Sequence, residues 1–518
     1  MVSVPERYNA SLLIDRNLEA GRGDKVAIFF GDERVTYREL ARRVNRFGHA
    51  LKSLGVRREE RVVLALNDSP AFPVAFFGAI RIGAVPVPVN ALLRWEDQRF
   101  FLTDSYARAI VVDLDHYEKL QKALEGYPEK VDVIVANGSV PGTKAFDDLL
   151  KSGKDELSPA DTHRDDMAFW LYSSGSTGNP KGAVHLQHDI LVTCETYARN
   201  ILKIQEKDVT FSSSKLFHAY GLGNNISFPY WAGASTVLYP GRPVPQAMLE
   251  TIQRYKPTLF FCVPTLYNAI LNYPDCKKYD LSSIRLCASA AEALPPEIWR
   301  RWKEAFGLTI LDGIGSTEIL HIFMSNTQDT LKPGSSGKVV PGYEAKVVDD
   351  EGRPVKPGQA GHLLVRGDST APYYWHNHEK SKATMVGDWI RTGDWYRMEE
   401  DGIYWYEGRS DDMMKVGGMW VSPIEVENVL IEHPAVVEAA VVGVPVEGLN
   451  KMKAYVILRE KYEGSPALVE ELQKWCKERL QRYEYPQIVE FVPDLPKTIT
   501  GKIQRFKLRE PQPTPTSR

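Results

Sequence analysis

The chain has 518 residues, beyond the ~250–300 residues at which a single hydrophobic core stops growing. Hydrophobic residues make up 43% of it and charged residues 25%, which excludes a disordered chain and a coiled-coil rod. The 64 Lys and Arg residues nearly balance the 67 Asp and Glu residues, giving a formal net charge of −3. Without a basic excess, the composition argues against a nucleic-acid partner.

The five cysteines are scattered without a CxxC pair, so we expect neither a disulfide framework nor a zinc site. The N-terminus carries charges where a secretory signal needs an apolar stretch. The most apolar region, residues 72–89, is interrupted by Arg81 and by prolines, so it does not form a membrane span of ~20 apolar residues. We therefore expect a cytoplasmic protein that does not associate with membranes.

Strand and helix patterns alternate along most of the chain. Val26–Phe30 is typical of a strand, and a helix is predicted to open at Thr36 because apolar residues then recur at helical spacing. Further apolar strands are predicted over residues 61–66, 109–112, 235–239 and 258–263. This alternation favours an α/β fold, with parallel sheets covered on both faces.

The pattern changes after Leu331, where short strands and Gly-Pro turns over residues 337–366 predict a smaller β-rich unit. Beyond Arg409, two strands (EAAVVGV and KAYVILRE) and a helix (LVEELQKWCKERL) form a compact pattern. A tail of ~110 residues is long enough to be a domain. We predict a large N-terminal domain, 1–409, and a small α+β C-terminal domain, 410–518.

The strongest local signal is YSSGSTGNPKG, residues 172–182, which follows the apolar strand MAFWL. Glycines allow backbone N–H groups to approach phosphate oxygens, hydroxyls donate hydrogen bonds, and Lys181 supplies positive charge. We predict a strand, this loop and then a helix from near Leu186. Pro180 before the lysine excludes a Walker A loop. The alternative, a Ser/Gly-rich surface linker, is disfavoured by the apolar strand before the loop.

Three further clusters carry weaker signals. The segment DGIGSTE, residues 312–318, combines hydroxyls with a carboxylate that could hold Mg²⁺ against a nucleotide, or it could be a capped turn. Asp394 and Arg409 could bind a ribose, or they could be a turn aspartate and a surface ion pair. Lys502 stands beside a glycine and could act as a mobile positive charge. The alternative is an ordinary lysine that only contacts solvent.

Histidines and serines give no hydrolase or metal signature. His185 and His188 are close in sequence, as are His376 and His378, but no cysteine or carboxylate completes a metal-binding set. We expect structural or solvent roles for these histidines. The sequence contains no GxSxG motif, which argues against a serine hydrolase.

Taken together and in order, these segments resemble the adenylate-forming superfamily of acyl-CoA synthetases, luciferases and peptide-synthetase adenylation domains. The similarity covers nearly the whole chain and rests on four ordered motifs. Within the superfamily the chain most resembles benzoate–CoA and hydroxybenzoate–CoA ligases, in the stretches LYSSGSTGNPKGAVH, KLFHAYGLGN, GIGSTEILHIFMSN, GRSDDMMKVGGMWVSPIEVE and TGKIQRFKLRE.

The resemblance implies ATP-dependent activation of an aromatic carboxylic acid to an acyl-AMP, followed by transfer to coenzyme A, with Mg²⁺ required. The partners it implies are the aromatic acid, ATP and CoA, and it leaves a homodimer open. It also implies that the C-terminal domain is mobile. Lys502 would be a target for a lysine acetyltransferase and a deacetylase.

The resemblance also implies roles for individual residues. ATP would be bound by Ser173, Ser174, Gly175, Ser176, Thr177, Gly178, Lys181, Ala290, Ala291, Asp312, Gly313, Thr317, Asp394 and Arg409. Lys502, Glu318 and His218 would be catalytic, as the adenylation lysine, the Mg²⁺ ligand and the gate between acid and thiol. The acid ring would contact Ala219, Tyr220, His321 and Ile322. Gly417 and Gly418 would line the CoA tunnel, and Asp411 would be the interdomain hinge.

Two positions depart from the pattern of these relatives. Ala291 stands where close relatives usually have the glycine of Ser-Ala-Gly-Glu, and His218 stands where many benzoate enzymes have phenylalanine. Three alternative functions remain open. They are a ligase for an alicyclic or medium-chain acid, a ligase that loads a carrier-protein thiol, and a nucleotide-binding module without catalysis.

Overall fold

The computed structural model describes residues 2–173, 180–416, 419–446, 449–481, 483–497 and 503–509. Its strands are, in chain order, β1 (Val26–Phe30), β2 (Glu33–Thr36), β3 (Arg61–Ala65), β4 (Val85–Pro88), β5 (Ala107–Asp113), β6 (Asp132–Ala136), β7 (Lys144–Ala145), β8 (Met167–Ser173), β9 (Lys181–Leu186), β10 (Val209–Ser212), β11 (Ser235–Val237), β12 (Leu259–Cys262), β13 (Leu286–Ser289), β14 (Ile310–Gly315), β15 (Ile322–Ser325), β16 (Lys338–Val339), β17 (Glu344–Val348), β18 (Ala360–Arg366), β19 (Met385–Val386), β20 (Trp389–Met398), β21 (Tyr404–Arg409), β22 (Met414–Val416), β23 (Met419–Val421), β24 (Val436–Val446), β25 (Leu449–Leu458) and β26 (Ile488–Phe491).

The helices are α1 (Leu12–Glu19), α2 (Tyr37–Ser53), α3 (Ala71–Arg81), α4 (Trp95–Ser105), α5 (Tyr117–Leu124), α6 (Phe146–Ser152), α7 (Asp189–Thr193), α8 (Ala219–Leu222), α9 (Phe228–Ala232), α10 (Pro245–Tyr255), α11 (Pro264–Asn272), α12 (Pro296–Phe306), α13 (His378–Thr384), α14 (Pro423–Ile431), α15 (Pro466–Lys477) and α16 (Arg505–Arg509). A π-helical segment, Cys194–Leu202, continues α7, and another, Gly223–Ser227, joins α8 to α9. The side chain of Thr36 caps α2 by accepting from Glu39 N, which confirms the predicted helix start.

Two parallel sheets dominate the N-terminal part, as predicted. In the nine-stranded sheet the strand order is β16-β15-β14-β13-β12-β10-β11-β1-β2, with parallel strands in the centre and antiparallel ones at both edges. The five-stranded sheet, β4-β3-β5-β6-β7, is parallel throughout. Strands such as β3 are apolar and almost wholly buried, because both faces of the sheet are covered.

The helix expected from near Leu186 begins at Asp189, but a strand that was not predicted precedes it. Residues 181–186 form β9, which pairs antiparallel with β8. Ala183, Val184 and His185 are all buried in this strand. The loop therefore joins two strands, and no helix N-terminus follows it directly.

The later part of the chain contains smaller units. An antiparallel sheet of β17, β18, β20, β19 and β21 is the predicted β-rich unit. In the C-terminal part, β24 and β25 are antiparallel and β26 joins β25 in parallel. Among the described residues, the apolar clusters of this part contain no residue before Met414, so it has a core of its own.

Other expectations concern cysteines, metals and membranes. All five cysteines are free and buried. Across the described ranges, no group of three or more His, Cys, Asp or Glu residues is arranged to hold a metal ion. In the same part of the chain no helix combines the length and the apolar character that a bilayer crossing requires.

The parallel strands bring the predicted site segments to one edge of the nine-stranded sheet. The strands β10, β13 and β14 run in the same direction, and their carboxyl ends lead into residues 213–218, 290–292 and 316–318. Ligands of α/β proteins bind at this edge of the sheet. The fold thus gathers residues that are about a hundred positions apart in sequence.

Candidate active site

The end of the β8–β9 hairpin where the chain passes from β8 to β9 carries two of the predicted phosphate-binding residues. Ser173 and Lys181 pair directly across the hairpin. The Lys181 Nζ atom lies 5.1 Å from the centroid of the Tyr374 ring. Burial lowers the pKa of Lys181, opposed by the Glu318 carboxylate. The other predicted loop residues lie outside the described residues: Ser174, Gly175, Ser176, Thr177 and Gly178.

Glu318 faces this hairpin. The Tyr374 hydroxyl donates a 2.6 Å hydrogen bond to Glu318 Oε1, and Ser173 Oγ donates to the same atom over 3.4 Å. Within the described ranges no hydrogen bond ends on Glu318 Oε2. Mg²⁺ in nucleotide sites uses one or two carboxylates together with phosphate oxygens. A carboxylate with one uncommitted oxygen, beside Lys181, therefore fits Mg²⁺ held between protein and phosphate.

His185 joins β9 to the segment that carries Thr317 and Glu318. Its Nε2 atom donates to the Thr317 carbonyl oxygen over 2.8 Å, and its Nδ1 atom lies 2.8 Å from Asp189 Oδ2. The imidazole is fully buried and stacks on Phe169, with 5.1 Å between the ring centroids. A structural role for His185, as predicted from the sequence, is confirmed. Its effect is to fix Thr317 relative to the strand of Lys181.

Asp312 and Gly313 lie in β14. A Cβ atom at Gly313 would be 2.6 Å from the Met324 carbonyl oxygen, so the glycine lets β15 pair closely here. Burial raises the pKa of Asp312 to about 8. Asp312 Oδ1 and Ser316 Oγ are buried and have no hydrogen-bond partner among the described residues. Buried polar atoms are normally hydrogen-bonded, so these two atoms suit a polar ligand such as a nucleotide.

Ala290 and Ala291 follow β13 at the same edge. Ala291 has a φ of 79°, in the left-handed region that favours glycine. An L-residue with a Cβ costs about 1–2 kcal/mol in that conformation. The departure from Ser-Ala-Gly-Glu therefore places a methyl group at a position whose backbone suits glycine.

Asp394 and Arg409 form an ion pair at the end of the antiparallel sheet. They lie directly opposite each other on β20 and β21, and Arg409 Nη1 donates to Asp394 Oδ1 over 2.9 Å. Asp394 raises the pKa of Arg409. After burial, Lys380 and Arg409 also act to lower the pKa of Lys181. The structure thus brings the two predicted ribose-binding residues into direct contact.

The predicted acid pocket lies where α8 meets the start of β15. Tyr220 and His321 have ring centroids 5.6 Å apart, and His321 Nε2 lies 3.4 Å from the Tyr220 carbonyl oxygen. Burial lowers the pKa of His321 to about 3, so its ring is neutral. Ile322 is buried next to it, whereas Ala219 is half-buried. Contact of these four residues with an acid ring stays a prediction.

His218 precedes α8. The centroid of its ring lies 4.3 Å from the centroid of the Phe217 ring. The loop before it is attached to the sheet by Asp68, which accepts from Leu216 N over 3.1 Å and lies 3.8 Å from Lys215 Nζ. Burial raises the pKa of Asp68 to about 6. This buried contact holds the segment that leads to His218.

The predicted hinge and C-terminal residues are only partly described. Asp411 is exposed, and the next residue, Asp412, forms ion pairs with Arg505 and Arg509. Arg505 also pairs with the buried Glu427 over 2.7 Å. Gly417, Gly418 and Lys502 lie outside the described residues. The ion pairs connect the segment after Lys502 to the residue beside the hinge.

The AMP-binding enzyme family matches residues 15–375, and the AMP-binding enzyme C-terminal domain matches residues 425–502. The chain belongs to the AMP-binding enzyme family. It is 49% identical to a benzoate–CoA ligase of Thauera aromatica, over 98% of this chain and 97% of that protein. The predicted membership of the adenylate-forming enzymes is confirmed.

Two solved structures of the family resemble the whole chain. One is an anthranilate–CoA ligase in complex with anthranoyl-AMP, with a TM-score of 0.94 and 45% identity over 98% of this chain and 97% of that one. The other is a benzoate–CoA ligase from Burkholderia xenovorans LB400, with a TM-score of 0.91 and 45% identity over 97% of this chain and 100% of that one. The predicted α/β fold class is confirmed.

Sequence reasoning missed several residues of the site. Tyr374 contacts both Glu318 and Lys181, and no motif of the sequence signals it. Phe228 and Tyr197 pack on His321, with ring centroids 4.5 Å and 5.3 Å away. No motif surrounds either residue in the sequence, so only the folded packing reveals them.

Proposed function

We propose that this enzyme activates an aromatic carboxylic acid of the benzoate or hydroxybenzoate type. It is an AMP-forming acid–thiol ligase that uses ATP, Mg²⁺ and coenzyme A. The observation that carries the proposal is the segment between β14 and β15. Thr317 and Glu318 face the phosphate-binding hairpin, and His321 and Ile322 line the aromatic pocket. An acid bound in the pocket is thereby held beside the phosphates.

The relatives support the choice of substrate. The similar proteins include a benzoate–CoA ligase, a 4-hydroxybenzoate–CoA/benzoate–CoA ligase and an anthranilate–CoA ligase, all acting on single-ring aromatic acids. Tyr220 offers the flat ring of such an acid an aromatic face. The small side chain of Ala219 leaves space next to it.

In the first step the acid carboxylate attacks the α-phosphorus of ATP. The new C–O–P bond forms an acyl-AMP, and the bond to pyrophosphate breaks. Because a carboxyl group with a pKa near ~4 is ionised at neutral pH, no general base is required. The obstacle is repulsion between anions, which Lys181 and Lys502 relieve by their positive charges. When bound at Glu318, Mg²⁺ adds further charge neutralisation at the phosphates.

In the second step the thiol of coenzyme A attacks the activated carbonyl. A thioester forms, AMP leaves and the thiol proton is released; a thiol like that of cysteine has a pKa of ~8.5. In the proposed cycle the domain of residues 410–518 rotates about Asp411. One orientation presents Lys502 for adenylation, and the other presents Gly417 and Gly418 to the pantetheine chain.

Further parts of the proposal concern the whole protein. We place the domain boundary after Arg409, supported by the separate C-terminal core. The five unpaired cysteines support a reducing, cytoplasmic location. A homodimer also belongs to the proposal. So does reversible acetylation of Lys502, because acetylation would remove the charge needed for adenylation.

The test is exchange of labelled pyrophosphate into ATP, with a panel of carboxylic acids and without CoA. Benzoate or a hydroxybenzoate should support the fastest exchange. A nucleotide-binding module would give no exchange with any acid. Faster exchange with alicyclic acids, or with straight-chain acids of eight or more carbons, would contradict the aromatic assignment. Comparing CoA with a carrier protein as acceptor then identifies the thiol.

A pair of variants tests the two orientations. Lys502→Ala should lower pyrophosphate exchange by ~10²–10³, the usual loss for one electrostatic donor, yet still convert supplied benzoyl-AMP and CoA to benzoyl-CoA. Gly418→Leu should exchange pyrophosphate normally and fail with CoA. Parallel loss of both half-reactions in either folded variant would contradict domain rotation.

A further inference from the structure

We infer that Tyr374 is a positioning residue of the nucleotide site, which holds the carboxylate of Glu318 and the ammonium of Lys181 in one fixed arrangement. The inference rests on the proposed function, in which these two residues serve Mg²⁺ and the phosphates of ATP. Tyr374 touches neither reacting atom. It acts through two charged side chains. Its hydroxyl contacts Glu318, and its ring lies next to Lys181.

The backbone of Tyr374 is attached to the same strand that carries Lys181. It forms an antiparallel bridge with Ala183 in β9, Val184 N donates to the Tyr373 carbonyl over 3.2 Å, and Trp375 N donates to the Gly182 carbonyl over 2.8 Å. The Tyr374 side chain is 3% exposed. Both the backbone and the ring of Tyr374 are therefore held in place. The phenol has little freedom to follow Glu318 if that residue moves.

The phenol acts on one oxygen of the carboxylate. Tyr374 Oη donates to Glu318 Oε1 over 2.6 Å, and the only other hydrogen bond to the Glu318 carboxylate among the described residues, from Ser173 Oγ, ends on the same oxygen. This arrangement keeps Oε2 for a cation. Hydrogen-bond partners of this kind orient metal ligands and tune metal affinity.

The face of the same ring lies near a cation. Lys181 Nζ is 5.1 Å from the ring centroid, within the range of a cation–π interaction. Lys181 and Glu318 have opposite charges and would otherwise be free to pair directly when no nucleotide is bound. Tyr374 gives each charge a separate partner, its hydroxyl for Glu318 and its ring for Lys181, and keeps both available to the phosphates and Mg²⁺.

The decisive experiment compares Tyr374→Phe with Tyr373→Phe. The second variant is a matched control, because Tyr373 is exposed and its hydroxyl contacts only Met167 Sδ, at 3.7 Å, among the described residues. The measurement is the rise in melting temperature at fixed ATP as Mg²⁺ is added, without acid or CoA. Tyr374→Phe should raise the Mg²⁺ concentration for half-maximal stabilisation by ~10-fold or more. Tyr373→Phe should leave it unchanged.

A second variant separates the two contacts. Tyr374→Phe keeps the ring below Lys181, so the ATP concentration for half-maximal stabilisation at saturating Mg²⁺ should match that of the wild type. Tyr374→Leu removes the ring as well and should raise this ATP concentration several-fold. Equal Mg²⁺ dependence in Tyr374→Phe and Tyr373→Phe would overturn the inference. So would a lower melting temperature of unliganded Tyr374→Phe with unchanged Mg²⁺ dependence, which indicates a purely structural role.

The proposed function fails by a different result. If the wild-type protein exchanges no pyrophosphate with any acid, the proposed reaction is wrong. The Mg²⁺-dependent stabilisation by ATP and its change in Tyr374→Phe are measured without that reaction, so they still decide the role of Tyr374.

Discussion

The two ends of the segment between β14 and β15 are built by different physical means. At Thr317 and Glu318 the neighbours are held by directional hydrogen bonds, from His185, Tyr374 and Ser173. At His321 and Ile322 the neighbours are held by packing, and rings surround the imidazole at centroid distances of 4.5 Å to 5.6 Å. A few residues thus connect a polar centre to an aromatic pocket.

This difference separates the common chemistry from the choice of substrate. Hydrogen bonds and charges define where a phosphate and a cation can lie, and any carboxylic acid needs the same arrangement. Packing defines a volume and a shape, which change with one methyl group. We therefore expect substitutions at the polar end to affect all acids equally, and substitutions in the pocket to affect acids according to their shape.

The largest effect is expected at the polar end. Glu318→Gln keeps the length of the side chain and an acceptor for Tyr374, but removes the negative charge that binds the cation. Pyrophosphate exchange should fall by ~10²–10³, as when a key electrostatic group is lost. The fall should be the same for every acid in the panel, with the KM for benzoate unchanged.

Glu304→Gln on the exposed surface of α12 is the control, and it should behave as the wild type. If Glu318→Gln lost pyrophosphate exchange with benzoate but retained it with other acids, the proposed difference between the two ends would be contradicted.

A smaller and selective effect is expected in the pocket. Ala219→Phe fills the space beside Tyr220, and overpacking of this kind costs ~1–3 kcal/mol, or roughly 5–150-fold in kcat/KM for benzoate. The KM for ATP should stay at the wild-type value, because the polar end is unchanged. Steady-state kinetics with both substrates measure this. Equal loss for benzoate and for a small aliphatic acid would contradict the pocket assignment.

Short motifs in the sequence point to the polar end, whereas no such motif marks the packing around His321. Because phosphate binding demands particular residue types in a short stretch, Ser173, Lys181 and Glu318 are candidates from their neighbours in sequence, and their roles stay predictions. Tyr374 is 56 residues from Glu318, and His185 is 132 residues from Thr317, so their contacts appear only in the folded chain. The rings around His321 follow from packing and have no local pattern.

Secondary structure was also predicted best where a local sequence pattern determines it. Strands β1, β3 and β5 and helix α2 were predicted from local periodicity, to within a few residues. Strand β9, KGAVHL, was not predicted, because a short apolar run suits a helix or a strand equally well. Its pairing with β8 shows which of the two it forms.

The pocket should also make the protein sensitive to acid. The pKa of His321 is lowered to about 3 in the folded state, whereas an unfolded histidine has a pKa of about 6.5. Between these values the unfolded chain binds a proton that the folded chain does not. Stability from this group is therefore fully present above pH ~6.5 and is lost progressively as the pH falls toward ~3.

The measurement is the free energy of unfolding of the wild type and of His321→Gln at several pH values. From pH ~6.5 to pH ~5 the wild type should lose about 2 kcal/mol more than the variant, since one pKa unit corresponds to ~1.4 kcal/mol. Tyr220, Tyr197 and Phe228 surround the imidazole and carry no charge at these pH values. Identical pH profiles would show that His321 is not held neutral by the pocket.

The smallest effect is expected at Ala291, which follows β13. Its φ of 79° costs an alanine about 1–2 kcal/mol relative to glycine, while glycine adds ~0.4–1 kcal/mol of unfolded-state entropy. Ala291→Gly should therefore raise the free energy of unfolding by up to about 1 kcal/mol. Ala290→Gly is the matched control, because Ala290 is not among the residues with positive φ and gains no relief. This control should lose stability by ~0.4–1 kcal/mol. If both variants lost stability equally, the left-handed backbone at Ala291 would not be strained, and the methyl group would have to stabilise the loop through its contacts.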